Sequence, residues 1–176
     1  TLGGSFLVSG AKNTGDSSAD IAGAGSFTSS ATSTIVTTGK NNTAGGSVTI
    51  SSIVRNPGSG NTTGNIVIGG DITTTGGTST SGAGYAAGAV SIEARNTGTL
   101  TISTGADIVA TGSAANSGNT AGGNGGNVTL NTNATTITLN DTLISTSGGA
   151  KSGSGAVGNG GSIVISDPTT CLLYTS

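Results

Sequence analysis

The sequence contains no His to serve as a base near neutral pH, which leaves its carboxylates as the groups to consider first. Seven carboxylates are available: Asp16, Asp20, Asp71, Glu93, Asp107, Asp141 and Asp167. Cleaving a glycosidic bond needs an acid and a second carboxylate held together. Only Asp71 and Asp107 occupy equivalent positions, each directly before an isoleucine. If the polypeptide stacks in coils, these two lie about 5 Å apart, one above the other. Such a pair could share a cation or raise one pKa. The plainer role is that of turn residues, since Asp readily hydrogen-bonds nearby backbone.

The remaining candidates are sparse. Lys12, Lys40, Arg55, Arg95 and Lys151 are scattered, leaving no basic patch for nucleic acid. Glu93 and Arg95 flank Ala94 on one outward face, where an exposed pair contributes well under 1 kcal/mol. Tyr85 lies in a Gly-Ala loop and could stack on a sugar. With one Cys and no His, neither a disulfide framework nor a zinc or iron site of the usual kind is available. Repeat calcium motifs of the Gly-Gly-x-Gly-x-Asp type are absent, because the Gly-rich runs carry Asn or Ser instead. Asn-x-Ser/Thr occurs at Asn41, Asn61, Asn127, Asn133 and Asn140, as chance would place it among 15 Asn and 57 Ser plus Thr. The residues therefore assign no catalytic group, no cofactor and no metal site.

The elements that would position these residues are written as a repeat. Gly45-Gly46-Ser47-Val48-Thr49-Ile50 shares its grammar with segments starting at Gly3, Ala87, Gly125 and Gly160. The second residue of each falls at Gly4, Gly46, Gly88, Gly126 and Gly161, with spacings of 42, 42, 38 and 35. A period in this range marks a stacked repeat. A second strand is expected at Thr99–Ile102 and Thr136–Leu139, with Ile66–Ile68 its counterpart and Phe27 a weak one. A third starts at Ile35, Ile72, Ile108 and Ile144 and runs to Gly39, Gly76, Gly112 and Gly148. Length variation falls in the connections, such as Arg55–Thr63 and the Gly/Ser/Asn stretch after every third strand.

Within each strand the alternation is period 2, with Val48 and Ile50 on one face and Ser47 and Thr49 on the other. Propeller blades need four antiparallel strands and usually carry aromatic signals, yet Phe and Tyr number two each and Trp is absent. A parallel β-helix places each strand on its equivalent one coil away and fills a narrow core with aliphatic ladders. The expected fold is all-β: a right-handed parallel β-helix of about four coils, 35–42 residues each, with three short strands per coil. The hand rests on the general rule for parallel crossovers.

Residues 1–168 form the expected β-helix segment and 169–176 an out-of-character tail with the lone Cys171. The sequence starts on a repeat boundary without Met and ends after one strand of a fifth coil, so it is expected to be a slice of a longer protein with further coils at both ends. No apolar run reaches the roughly 18–20 residues of a membrane-spanning helix.

Asn124–Leu130, Thr136–Asp141, Leu143–Gly149 and Gly158–Ile165 resemble the repeats of filamentous-haemagglutinin-like exoproteins. These are large bacterial surface proteins, many exported by two-partner secretion. The resemblance implies a secreted or cell-surface location and a structural or adhesive role, with host or neighbouring-cell glycans or proteins as partners. A fragment of a β-helical carbohydrate-active enzyme is the main alternative. Outward Thr99-x-Thr101 and Thr136-x-Thr138 also resemble the arrays of ice-binding solenoids, although Asn65-Ile66-Val67 interrupts them.

Overall fold

The computed structural model describes residues 4–9, 26–52, 64–94, 98–132 and 136–166. Lys12, Asp16, Asp20, Arg55, Arg95, Asp167 and Cys171 lie outside the described residues, as does the whole 169–176 tail.

Thirteen short strands follow one another without a helix among the described residues. Each coil contributes one strand to each of three sheets. The first sheet stacks β1 (Phe6–Ser9), β4 (Val48–Ser52), β7 (Val90–Ala94), β10 (Val128–Thr132) and β13 (Ile163–Ser166). The second stacks β2 (Phe27–Thr28), β5 (Ile66–Ile68), β8 (Leu100–Ile102) and β11 (Ile137–Leu139). The third stacks β3 (Ile35–Val36), β6 (Ile72–Thr73), β9 (Ile108–Val109) and β12 (Ile144–Ser145). Every pairing is parallel, and about three turns separate the first and last rungs of the second and third sheets.

Register follows the aliphatic ladders. Val48 pairs with Val90, Val90 with Val128 and Val128 with Ile163. Ile66, Leu100 and Ile137 align in the second sheet, and Ile35, Ile72, Ile108 and Ile144 in the third. The inward residues of the middle rungs, including Ile50, Ile92, Ile68, Ile102 and Ile108, are fully buried. Burying each is worth roughly 1.5–3 kcal/mol. A slip of one residue would turn a whole ladder to solvent, so the core fixes the register.

Two features of the coil interior were not legible as strands. Thr37, Thr74 and Thr146 lie two residues after the third-strand isoleucines and therefore point inward. Each hydroxyl donates to a carbonyl of its own coil: Gly46 O at 2.5 Å, Gly88 O at 2.7 Å and Gly161 O at 2.9 Å. The same glycines return their N–H to the threonine carbonyls at 2.7–2.8 Å. Ala110 holds this position in the third coil, where only the Gly126 N–H to Ala110 O bond remains.

The second feature is the Gly/Ser/Asn stretch after each third strand. It forms an ordered flange of outgoing and returning arms, not a free connection. A relay of backbone bonds crosses it: Gly158 N–H donates to Gly149 O, Gly149 to Gly123, Gly123 to Ser113 and Ser113 to Tyr85, all at 2.8–2.9 Å. The arms pack so closely that a Cβ on Gly123 or Gly149 would overlap backbone of the neighbouring arm. Glycine is required there for space.

Candidate binding surface

The corner before the third strand carries the two carboxylates singled out by their repeat position. They do stack, through the Ile72–Ile108 pairing. Asp71 Oδ1 accepts the Asp107 N–H at 3.0 Å, and Asp107 Oδ1 accepts the Leu143 N–H at 3.0 Å. Each carboxylate thus latches its own coil to the backbone of the next.

Asparagine does the same at other corners, since its amide oxygen offers an equivalent acceptor. Asn65 Oδ1 accepts from Thr99 N–H, Asn119 from Ser154, Asn124 from Asn159 and Asn127 from Ser162, at 2.9–3.1 Å. Asn42 makes two such contacts, accepting from the Thr80 N–H at 2.8 Å and donating through Nδ2 to Thr80 Oγ1 at 2.6 Å. The acidic pair therefore belongs to a set of coil-to-coil latches that needs an acceptor and no charge. Sequence reasoning placed Asp71 and Asp107 correctly, but their partners could not be found without the coil rise.

The other candidates stay apart. Glu93 lies on the first sheet in register with Ser51 and Asn131, and the Asn131 amide approaches its Oε1 at 3.5 Å. Its expected partner Arg95 lies outside the described residues. Tyr85 is half-buried in the flange, where its N–H donates to Ser113 Oγ at 2.8 Å. Lys40 and Lys151 are exposed on different coils. Among the described residues, no group of three or more His, Cys, Asp or Glu is placed to hold a metal ion. An open cleft of about 320 Å³ lies between Thr78–Ser79 and Ser113–Asn116, lined by small and polar residues without a titratable group.

What repeats on the outside is hydroxyl and methyl. Thr28, Val67, Thr101 and Thr138 form one outward column of the second sheet. Ser26, Asn65, Thr99 and Thr136 precede these residues by two positions and fall on the same side. Val67 keeps the shape of Thr without its hydroxyl, and Asn65 has its amide oxygen engaged, which is how the interruption read from sequence is accommodated. On the third sheet, Val36, Thr73, Val109 and Ser145 align, and the hydroxyls of Thr38 and Thr75 meet at 3.0 Å one coil apart. Neither pair of columns contains a charged residue. No helix among the described residues is long and apolar enough to cross a membrane.

No family model, no curated protein and no solved structure matches this sequence.

Proposed function

We propose that the protein is a structural repeat segment of a secreted or surface-displayed bacterial protein, acting as a rigid stalk or a multivalent adhesive surface. On this reading it resembles the β-helical region of filamentous-haemagglutinin-like exoproteins and carries no catalytic site. Its partners would be glycans or proteins on a host or neighbouring cell.

The observation that carries the proposal is how the polar side chains are spent. Asp71 and Asp107, the one carboxylate pair sharing a repeat position, each accept a backbone N–H of the next coil. The outward columns of the second and third sheets repeat small uncharged groups from rung to rung. Contacts to such a face are individually weak, and they become useful when many rungs engage together. Linking weak sites in this way can raise avidity by about 10²–10⁴ over a single contact.

The test compares the soluble monomer with the protein displayed densely on beads, each offered to glycan arrays and bacterial cells. Bead capture with little monomer binding supports the reading, as does retention of capture in Asp71→Asn and Asp107→Asn. Tight saturable binding of one soluble ligand by the monomer, abolished by either substitution, would point to a discrete site and overturn it.

A further inference from the structure

The open cleft in the flange exists because two arms part and meet again. The outgoing arms of the second and third coils are joined by Gly76 N–H to Thr111 O. Beyond that bond, Thr78 and Ser79 stay with the first coil, through Asn42 N–H to Thr78 O at 2.9 Å and Thr80 N–H to Asn42 Oδ1 at 2.8 Å. The third coil's arm turns the other way, with Ala115 N–H donating to Ala150 O at 2.8 Å. The coils rejoin where Asn116 N–H donates to Gly82 O at 2.9 Å and Gly82 N–H to Ser117 Oγ at 3.2 Å. The cleft of about 320 Å³ is therefore bounded by hydrogen bonds at both ends. We propose that it binds one unit of a neutral saccharide, held through two adjacent ring hydroxyls by the backbone of Ser79.

The contacts of Asn42 bracket Ser79, one on the residue before it and one on the residue after. In a parallel pairing, a residue bracketed in this way turns its own N–H and C=O to the opposite edge. For Ser79 that edge faces the third coil, across the cleft. Ser79 is only 5% exposed, and among the described residues neither of these backbone groups has a partner. Its hydroxyl is spent on Gly82 O at 3.3 Å. Buried backbone groups are rarely left unpaired, so a ligand seated here gains a donor and an acceptor that the chain itself does not use.

The chemistry selects the ligand. A hydroxyl both donates and accepts, so one hydroxyl of a vicinal pair takes the Ser79 N–H while its neighbour donates to the Ser79 C=O. On the facing wall, the Ala114 backbone and the Asn116 side-chain amide are likewise without partners among the described residues. No titratable group lines the cleft, so a charged ligand would lose water without finding a counter-charge. An extended peptide fits poorly, because the arms rejoin at Gly82 and leave no passage for a strand to continue. A volume near the lower end of the roughly 300–1,000 Å³ of small-molecule sites suits a single ring. The site is separate from the outward columns and does not depend on their adhesive role.

The test follows the amide NMR signals of the isotope-labelled protein during titration. Methyl β-glucoside and trans-cyclohexanediol with adjacent hydroxyls should both shift the Ser79 and Ala114 signals and saturate, whereas cyclohexanol should not. Ala114→Trp fills the cleft from an exposed position and should weaken binding at least about tenfold. Ser79→Pro removes the N–H donor and should do the same. Circular dichroism checks that each variant is folded, and Thr101→Asp on the outward column should leave affinity unchanged. Absence of a saturable Ser79 shift would overturn the proposal, as would equal shifts from cyclohexanol or full affinity in folded Ala114→Trp. Stronger shifts from an acetylated, amidated alanine tripeptide would overturn the saccharide assignment in favour of a peptide. None of these results touches bead capture by the columns, so the two readings fail separately.

Discussion

Replacing Gly88 with Ala tests whether coil spacing sets the glycine pattern. Gly88 opens its repeat between Gly46 and Gly126 and is buried. It is not among the glycines at positive φ, so alanine strains nothing locally and only space is at issue. An added Cβ would sit 2.9 Å from Ser47 N and nearer still to the carbonyl of Gly46. These are backbone atoms and cannot rotate aside. With coils about 4.8 Å apart, the methyl can be admitted only by separating two coils locally. Overpacking of this kind costs about 1–3 kcal/mol. Separation also stretches neighbouring coil-to-coil bonds, such as Val48 N–H to Ala89 O and Gly45 N–H to Ala86 O, each worth about 0.5–1.5 kcal/mol. The expected loss is roughly 2–5 kcal/mol, read as a lowered urea midpoint by circular dichroism. Gly160→Ala is the control, because its Cβ meets nothing nearer than 3.6 Å. There the substitution should be neutral or stabilise by up to about 1 kcal/mol through the unfolded state. Equal midpoints for the two variants would refute the close-packing argument.

Three further substitutions probe other layers. Ile102→Asp buries a charge between Ile68 and Leu139 and should cost several kcal/mol in a urea melt, whereas outward Thr101→Asp should stay within about 1 kcal/mol. Ala110→Thr supplies the hydroxyl that Thr74 and Thr146 already carry in neighbouring coils; donating to Gly126 O, it should raise stability by about 0.5–1.5 kcal/mol. Asp107→Ala removes the acceptor for the Leu143 N–H and should lose about 0.5–1.5 kcal/mol, while Asp107→Asn keeps the acceptor and should be neutral. A loss for Asp107→Asn as large as for Asp107→Ala would mean that charge, not the latch, is what the corner needs.

The stacked architecture was legible because two periods coincide. Residues such as Val48 and Ile50 alternate within a strand, and their equivalents recur at Val90 and Ile92, so each inward position predicts its partner in the next coil. Even the weak second-strand signal at Phe27 pairs as expected with Ile66. The flange was not legible, for a physical reason. Its order comes from backbone donors and acceptors, and its sequence signal is the absence of side chains, which reads equally well as a flexible connection. The inward threonines stood closer to view. Thr37, Thr74 and Thr146 share the parity of the isoleucines two residues before them, so alternation alone required an inward hydroxyl and hence an acceptor for it.

The latches explain why repeat position is a poor guide to chemistry in this fold. Stacking places equivalent side chains one above another by necessity, so two carboxylates in a column need no common task. What distinguishes a working pair is a free face turned toward a shared point. Asp71 and Asp107 instead each turn an oxygen toward a backbone N–H one coil on, along the stacking axis. Asn65 and Asn127 make the same contact without charge. A residue used in this way couples neighbouring coils, and in a one-dimensional array that coupling is the interface term on which stability depends. The chemistry of the corner residues is therefore directed inward to the stack, leaving the repeated hydroxyl and methyl columns as the surface that faces outward.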